Sequence, residues 1–121
     1  MAQVGVVSVT IPANETKSSG VDLGSNSLLA IEMPEAFNGT TITFESKASP
    51  QINTTSGQAS EDWDTVVDSA GSTISWTVAA GRVVVPTAAH AAALAPIRYI
   101  RLVAGTAQNP AREIKLLTKG E

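Results

Sequence analysis

The sequence predicts an all-β domain, a two-sheet antiparallel sandwich, on three observations. Val, Ile and Thr gather in short runs, Gly, Asn, Pro and Ser clusters separate them, and apolar residues recur at every second position with little helical periodicity. About eight such runs in 121 residues fit one sandwich over residues 1–121.

The first run, VGVVSVTIP, turns Val7, Val9 and Ile11 to one side and stops at Pro12, which has no N–H for a sheet ladder. NETKSSGVDLGSN follows as a polar connection around a short VDL extension. SLLAIEMP puts Leu29, Ile31 and Met33 on one face. Asn38-Gly39 supplies a turn, and TTITFESKAS continues with Ile42 and Phe44 inward and Thr41, Thr43 and Glu45 outward, so the two runs read as a hairpin.

PQINTTSGQASED is a polar stretch longer than most loops of compact domains, and residues 50–62, with residues 1–20, are expected to serve as arms contacting neighbours. WDTVVD is a short strand, SAGS a turn, and TISWTV a strand with Ile74, Trp76 and Val78 on one face. Ala80-Gly81 turns into RVVVP. TAAHAAALAP is the one helical candidate, a short turn over residues 87–95 capped by Thr87 and stopped by Pro96. IRYIRLVAG and REIKLLTK are the last strands.

The chemistry open to the chain is narrow. With no cysteine, neither disulfides nor thiolate metal sites are available. The single histidine, His90, stands among alanines without an acidic neighbour, and no nucleophile elbow, phosphate loop or dinucleotide fingerprint occurs, so the expectation is a non-enzyme without cofactor or metal. Asp62, Asp64 and Asp68 could offer oxygen ligands to a hard cation, yet their spacing lacks the glycine and terminal Glu of a calcium loop. No apolar run approaches membrane-spanning length and no basic n-region opens the chain, so a soluble product not exported by the general route is expected, without membrane contact. The sequons at Asn14, Asn38 and Asn53 then read as turn chemistry.

Five of the eight Lys and Arg residues fall between Ile97 and Lys119 although the net charge is −3. Nucleic acid is not the expected partner, since a phosphate-tracking groove needs more Lys and more stacking surface. Arg98 and Arg101, three apart on a strand, point to opposite faces, so one is expected to be buried against a carboxylate, with Glu32, Glu45 and Glu113 as candidates. Arg98, Arg101, Arg112 and Lys115 are the candidate partner-contact residues. Trp63 between Asp62 and Asp64 offers the rival reading, a flat ring and flanking acceptors for a glycan, against a core or interface role for the same ring.

Two resemblances add to this. TITFESKASP with WDTVVD, and IRYIRLVAG before the last strand, resemble discoidin-like, galactose-binding-like sandwiches, a likeness of fold that carries no ligand. Over the whole chain, from VTIPANETKSSGVDLG to IRYIRLVAGTA and REIKLL, the sequence resembles small tailed-bacteriophage virion proteins. That resemblance implies a structural protein of the virion, made in the host cytoplasm: a capsid cement or decoration subunit on the capsid exterior, bound to the major capsid protein as a homo-oligomer with a trimer favoured. A tail or receptor-binding component is the alternative within the virion, and a carbohydrate-binding module the alternative outside it.

Overall fold

The computed structural model describes residues 3–47 and 63–120. Among them nine strands and one helix run in the order β1 (Gln3–Ile11), β2 (Val21–Asp22), β3 (Ser27–Glu32), β4 (Thr41–Lys47), β5 (Asp64–Thr65), β6 (Ser75–Thr77), β7 (Val83–Val84), α1 (Ala88–Leu94), β8 (Tyr99–Ala104) and β9 (Arg112–Gly120). They form two antiparallel sheets. One has the order β1-β9-β3-β7, the other β2-β8-β4-β5, with β6 also paired to β4.

The pairing is nested. First strand meets last, second meets penultimate, β3 meets β7, and β4 meets β5 and β6. This is the winding of a jelly roll, a long antiparallel hairpin rolled into two sheets. It also places β1 and β2, each an edge strand, at the same side of the sandwich.

The inner faces follow the two-residue period. Ile11, Ile31, Ile114 and Leu116 from one sheet meet Ile42, Phe44, Ile100 and Leu102 from the other, all fully buried. Phe44 and Trp76 pack edge to face with centroids 4.7 Å apart, and Ile74, Trp76 and Val78 are buried together as the alternation predicts. The helix closes the domain by burying Leu94, and Thr87 caps it, its Oγ1 accepting from the His90 N–H at 3.2 Å.

Three expectations change. SLLAIEMP and TTITFESKAS are not a hairpin: β3 and β4 lie in different sheets, so the turn, with Gly39 at φ 92°, carries the chain across the sandwich. Leu29 does not point inward. A bulge between Leu28 and Ala30 shifts the register, so Leu28, Ala30 and Ile31 are buried and Leu29 is 39% exposed. Glu45 does lie on the outer face of its sheet, but it is buried there by the side chains described below.

Within the N-terminal segment anticipated as an arm, residues 1–20, Gln3–Ile11 is a sheet strand paired with β9 over its full length. The second anticipated arm, residues 50–62, lies outside the described residues.

Candidate functional site

The cationic strands at the C-terminus do not make one surface. β8 belongs to one sheet and β9 to the other, so Arg98 and Arg101 stand on one side of the sandwich and Lys115 on the outer face of the opposite side, while Arg112, two residues before the buried Ile114, has the parity of the inner face and sits at the end of the sandwich.

On the β8 side, register builds a charged and aromatic layer. Glu45 faces Arg101 across β4 and β8, and Lys47 faces Tyr99. The Arg101 Nε donates to Glu45 Oε1 at 2.6 Å, and Lys17 Nζ lies 3.4 Å from the other oxygen. The pair is nearly dry while Lys17 remains exposed. Trp63 lies over Gly20, with the Arg101 guanidinium 4.9 Å and the Lys47 ammonium 5.4 Å from its ring centroid. Gly20 is required by this contact, because a Cβ there would stand 2.5 Å from the ring.

Arg98 departs from simple alternation because it precedes β8. Its guanidinium folds back over Tyr99 at 5.0 Å and grips Asp22 with two bonds, Nε to Oδ1 at 2.8 Å and Nη2 to Oδ2 at 3.1 Å. Asp22 faces Tyr99 in the β2–β8 ladder, so the head group of Arg98 ends among the outer side chains with Arg101. The Arg98 bond, aided by the Gly24 N–H, holds the Asp22 carboxyl below its ordinary range, and Asp22 in turn raises Arg98.

Beside this layer, a cleft of about 520 Å³ opens between β4–β5 and the connection from α1 to β8. Lys47, Asp64, Val66, Ile97, Arg98 and Tyr99 are among its walls. Asp64 is exposed on β5 opposite Ser46, and Asp68 Oδ1 accepts from the Ala70 and Ser72 N–H groups in its turn. Asp62 lies outside the described residues. Among the described residues no three or more His, Asp or Glu side chains gather to hold a metal, and no helix is long and apolar enough to cross a membrane.

On the β9 side, the outer face carries two neighbouring rows. One is polar over three strands, with Ser8, Lys115 and Glu32 aligned across β1, β9 and β3, and ends at the exposed Val83 of β7. The next is apolar: Val6, Leu117 and Ala30 align by register, and Val85, one residue beyond β7, extends the row. Val6 is 59% and Val85 72% exposed, so the row reaches both edges of the sheet. At the β1 edge, Thr10 turns its backbone away from β9 to bond Ser19, and by the two-residue period Ser8 and Val6 turn theirs outward too. Arg112 lies at the far end, where its Nη2 donates to Asn38 Oδ1 and to the Asn109 carbonyl beside a mixed-charge cleft of about 450 Å³.

The residues named from sequence are therefore separated into an internally paired layer around Arg101 and Trp63 and an open face around Lys115. Sequence reading missed Asp22, Lys47, Tyr99 and Gln108. Lys47 was within reach, since the alternation that puts Glu45 outward puts Lys47 beside it. Comparison of the chain with protein-family models, with curated proteins and with solved structures returns no match.

Proposed function

We propose that this protein is a non-enzymatic structural subunit that assembles with copies of itself through its four-stranded sheet and serves as a capsid decoration protein on the exterior of a tailed-phage shell, with the major capsid protein as its partner. The observation that carries the assembly step is the apolar row from Val6 to Val85 beside an open edge strand. β1 runs nine residues without proline, charge or bulge, and monomeric sandwiches usually blunt such an edge. Apolar side chains at both edges of one sheet suit a head-to-tail contact, Val6 of one copy against Val85 of the next, and such contacts form a ring when the rotation between copies closes. Three copies are the proposed closure. The segments that carry the phage resemblance fall on β1, β2, β8 and β9, around the side where both edge strands lie. Jelly rolls occur among viral capsid domains and lectins alike, so the winding supports the reading without deciding it.

The glycan-binding reading has less support from the geometry. Trp63 spends its ring on Gly20, Lys47 and Arg101 and is half-buried, where a sugar platform needs an open face.

The experiment is the solution mass by light scattering, followed by co-sedimentation with shells of the parent virion that lack the protein. A trimer that binds shells stoichiometrically, with Val6→Asp and Val85→Asp each yielding folded monomers, is expected. A wild-type monomer that ignores shells overturns the proposal.

A further inference from the structure

Lys47 is the unusual residue of the outer layer. It is 8% exposed, its ammonium is buried, and that ammonium has no hydrogen-bond partner among the described residues. Its cross-strand neighbour Tyr99 is 9% exposed, and the phenolic hydroxyl is buried and likewise without a hydrogen-bond partner among the described residues. Buried polar groups are nearly always satisfied, and a buried cation without a counter-ion is among the most costly arrangements in a protein interior. The Trp63 ring offsets part of that cost at 5.4 Å but supplies neither an acceptor nor a negative charge. Of the nearby carboxylates, Glu45 is engaged by Arg101 and Lys17 and Asp22 by Arg98, while Asp64, exposed at the β5 wall of the cleft, forms neither a hydrogen bond nor an ion pair with the ammonium.

Both residues line the cleft of about 520 Å³, a volume suited to a small molecule. Its other walls are largely apolar, from Val66, Val67, Pro96 and Ile97, with Asp64 and Thr65 at the β5 side. We propose that this cleft is a binding site for a small organic carboxylate, whose two oxygens accept from Lys47 and Tyr99 while its body rests on the apolar wall. A carboxylate fits because it brings the missing charge and an acceptor for each of two donors at once. Binding requires rotation about the terminal bonds of the lysine to bring the ammonium from its place over Trp63 to the cleft. A neutral ligand leaves the ammonium unpaired. This site is independent of the assembly face on the opposite sheet, and its test does not depend on the oligomeric state.

Amide resonances of the ¹⁵N-labelled protein are followed during titration with glucuronate, with benzoate and, as the neutral control, with glucose, each to about 10 mM, a range that detects even weak sites. Saturable shifts at residues 46–47, 65–67 and 97–99 with either carboxylate and none with glucose are expected, and the carboxylate that binds more tightly identifies the body, polar ring or apolar ring. Lys47→Met weakens binding about 10-fold or more, as loss of one partner of a buried charged pair does, and Tyr99→Phe weakens it less. The free protein gives a second readout: Lys47→Met removes an unpaired ammonium from the interior, so its thermal midpoint stays level or rises. The proposal is overturned if neither carboxylate shifts those residues, if glucose shifts them equally, if Lys47→Met binds as the wild type does, or if that variant melts well below the wild type.

Discussion

Arg101 and Glu45 face each other across the β8–β4 ladder, joined at 2.6 Å and buried on the side of the sheet that faces away from the core. A charged pair normally needs a protein interior to become this dry. Here the cover comes from the outer layer itself, in which Trp63 spreads over the guanidinium and Lys17 reaches the second Glu45 oxygen. The fold thus carries a second, polar layer outside its hydrophobic core.

Breaking that pair from one side is expected to cost more than removing it whole. Arg101→Met leaves Glu45 buried with the exposed Lys17, and Glu45→Met removes the carboxylate that the guanidinium meets across the ladder, each at about 3 kcal/mol. The double variant places two apolar side chains opposite each other and is expected to recover most of the loss. Urea unfolding of the four proteins measures this directly. Additive single losses in the double variant would show that the two side chains do not act as a pair.

Gly20→Ala tests the cover. The added methyl meets the Trp63 ring at 2.5 Å, so the ring must leave its position over Gly20. The expected loss is about 1 to 3 kcal/mol, the usual range for overpacking. A red shift of the Trp63 emission accompanies it, read in a Trp76→Phe background so that one indole reports. An unchanged spectrum and midpoint would mean that the ring is not seated there.

The outer layer also sets an acid limit. Asp22 is held below its ordinary value near 3.8 by Arg98 and the Gly24 N–H, so the folded protein favours the carboxylate more than the unfolded chain does. That stabilisation is present above the unfolded value and is lost as pH falls through the folded one. Arg98 contributes no turn in this window, since its own value is raised further above neutrality. Thermal midpoints of the wild type are therefore expected to fall more steeply below pH 4 than those of Asp22→Asn, while Asp22→Asn is the less stable of the two at neutral pH. Both substituents being exposed, the difference shrinks with added salt.

How far such relationships are legible in sequence depends on their range. Ile42 with Phe44, and Ile74 with Trp76 and Val78, follow from the two-residue period, which is a property of the strand alone. The α1 boundaries follow from Thr87 and Pro96 in the same way. Strand partners do not, because periodicity marks a face without marking a neighbour: the Asn38-Gly39 turn is locally sound, yet the strands it joins lie in different sheets. Leu29 was misplaced since one bulge residue reverses the parity of all that precedes it. Arg101 was recoverable as a buried partner of Glu45, but Arg98 was not assignable to the same side, for it lies outside the strand whose alternation would govern it. Asp22 and Arg98 are joined across 76 positions, a separation at which nothing local signals the pair.

Gln108 is the strongest instance of a residue without a sequence signal, and it yields the last prediction. It is 0% exposed in a loop between β8 and β9, where a buried polar side chain must be fully bonded to be tolerated. Its Oε1 accepts from the Asn38 N–H at 2.9 Å, and its Nε2 donates to the carbonyls of Asn38 at 2.7 Å and Thr106 at 2.8 Å. Its backbone bonds Asn14 and Glu15, so one residue ties the loop after β1, the turn before β4 and the loop before β9. Gln108→Leu keeps nearly the same volume but strands both backbone groups of Asn38, at an expected cost of about 2 kcal/mol or more. Gln108→Ala costs more, because it adds a cavity to the same unmet bonds. Hydrogen exchange at the Asn38 amide locates the effect: it accelerates in both variants while the β4 and β8 core amides keep their ranking. Because Asn38 Oδ1 also accepts from Arg112, loosening this turn is expected to free that guanidinium as well. Equal protection of Asn38 in Gln108→Leu and the wild type would show that the turn is held by other contacts and that Gln108 is a passenger.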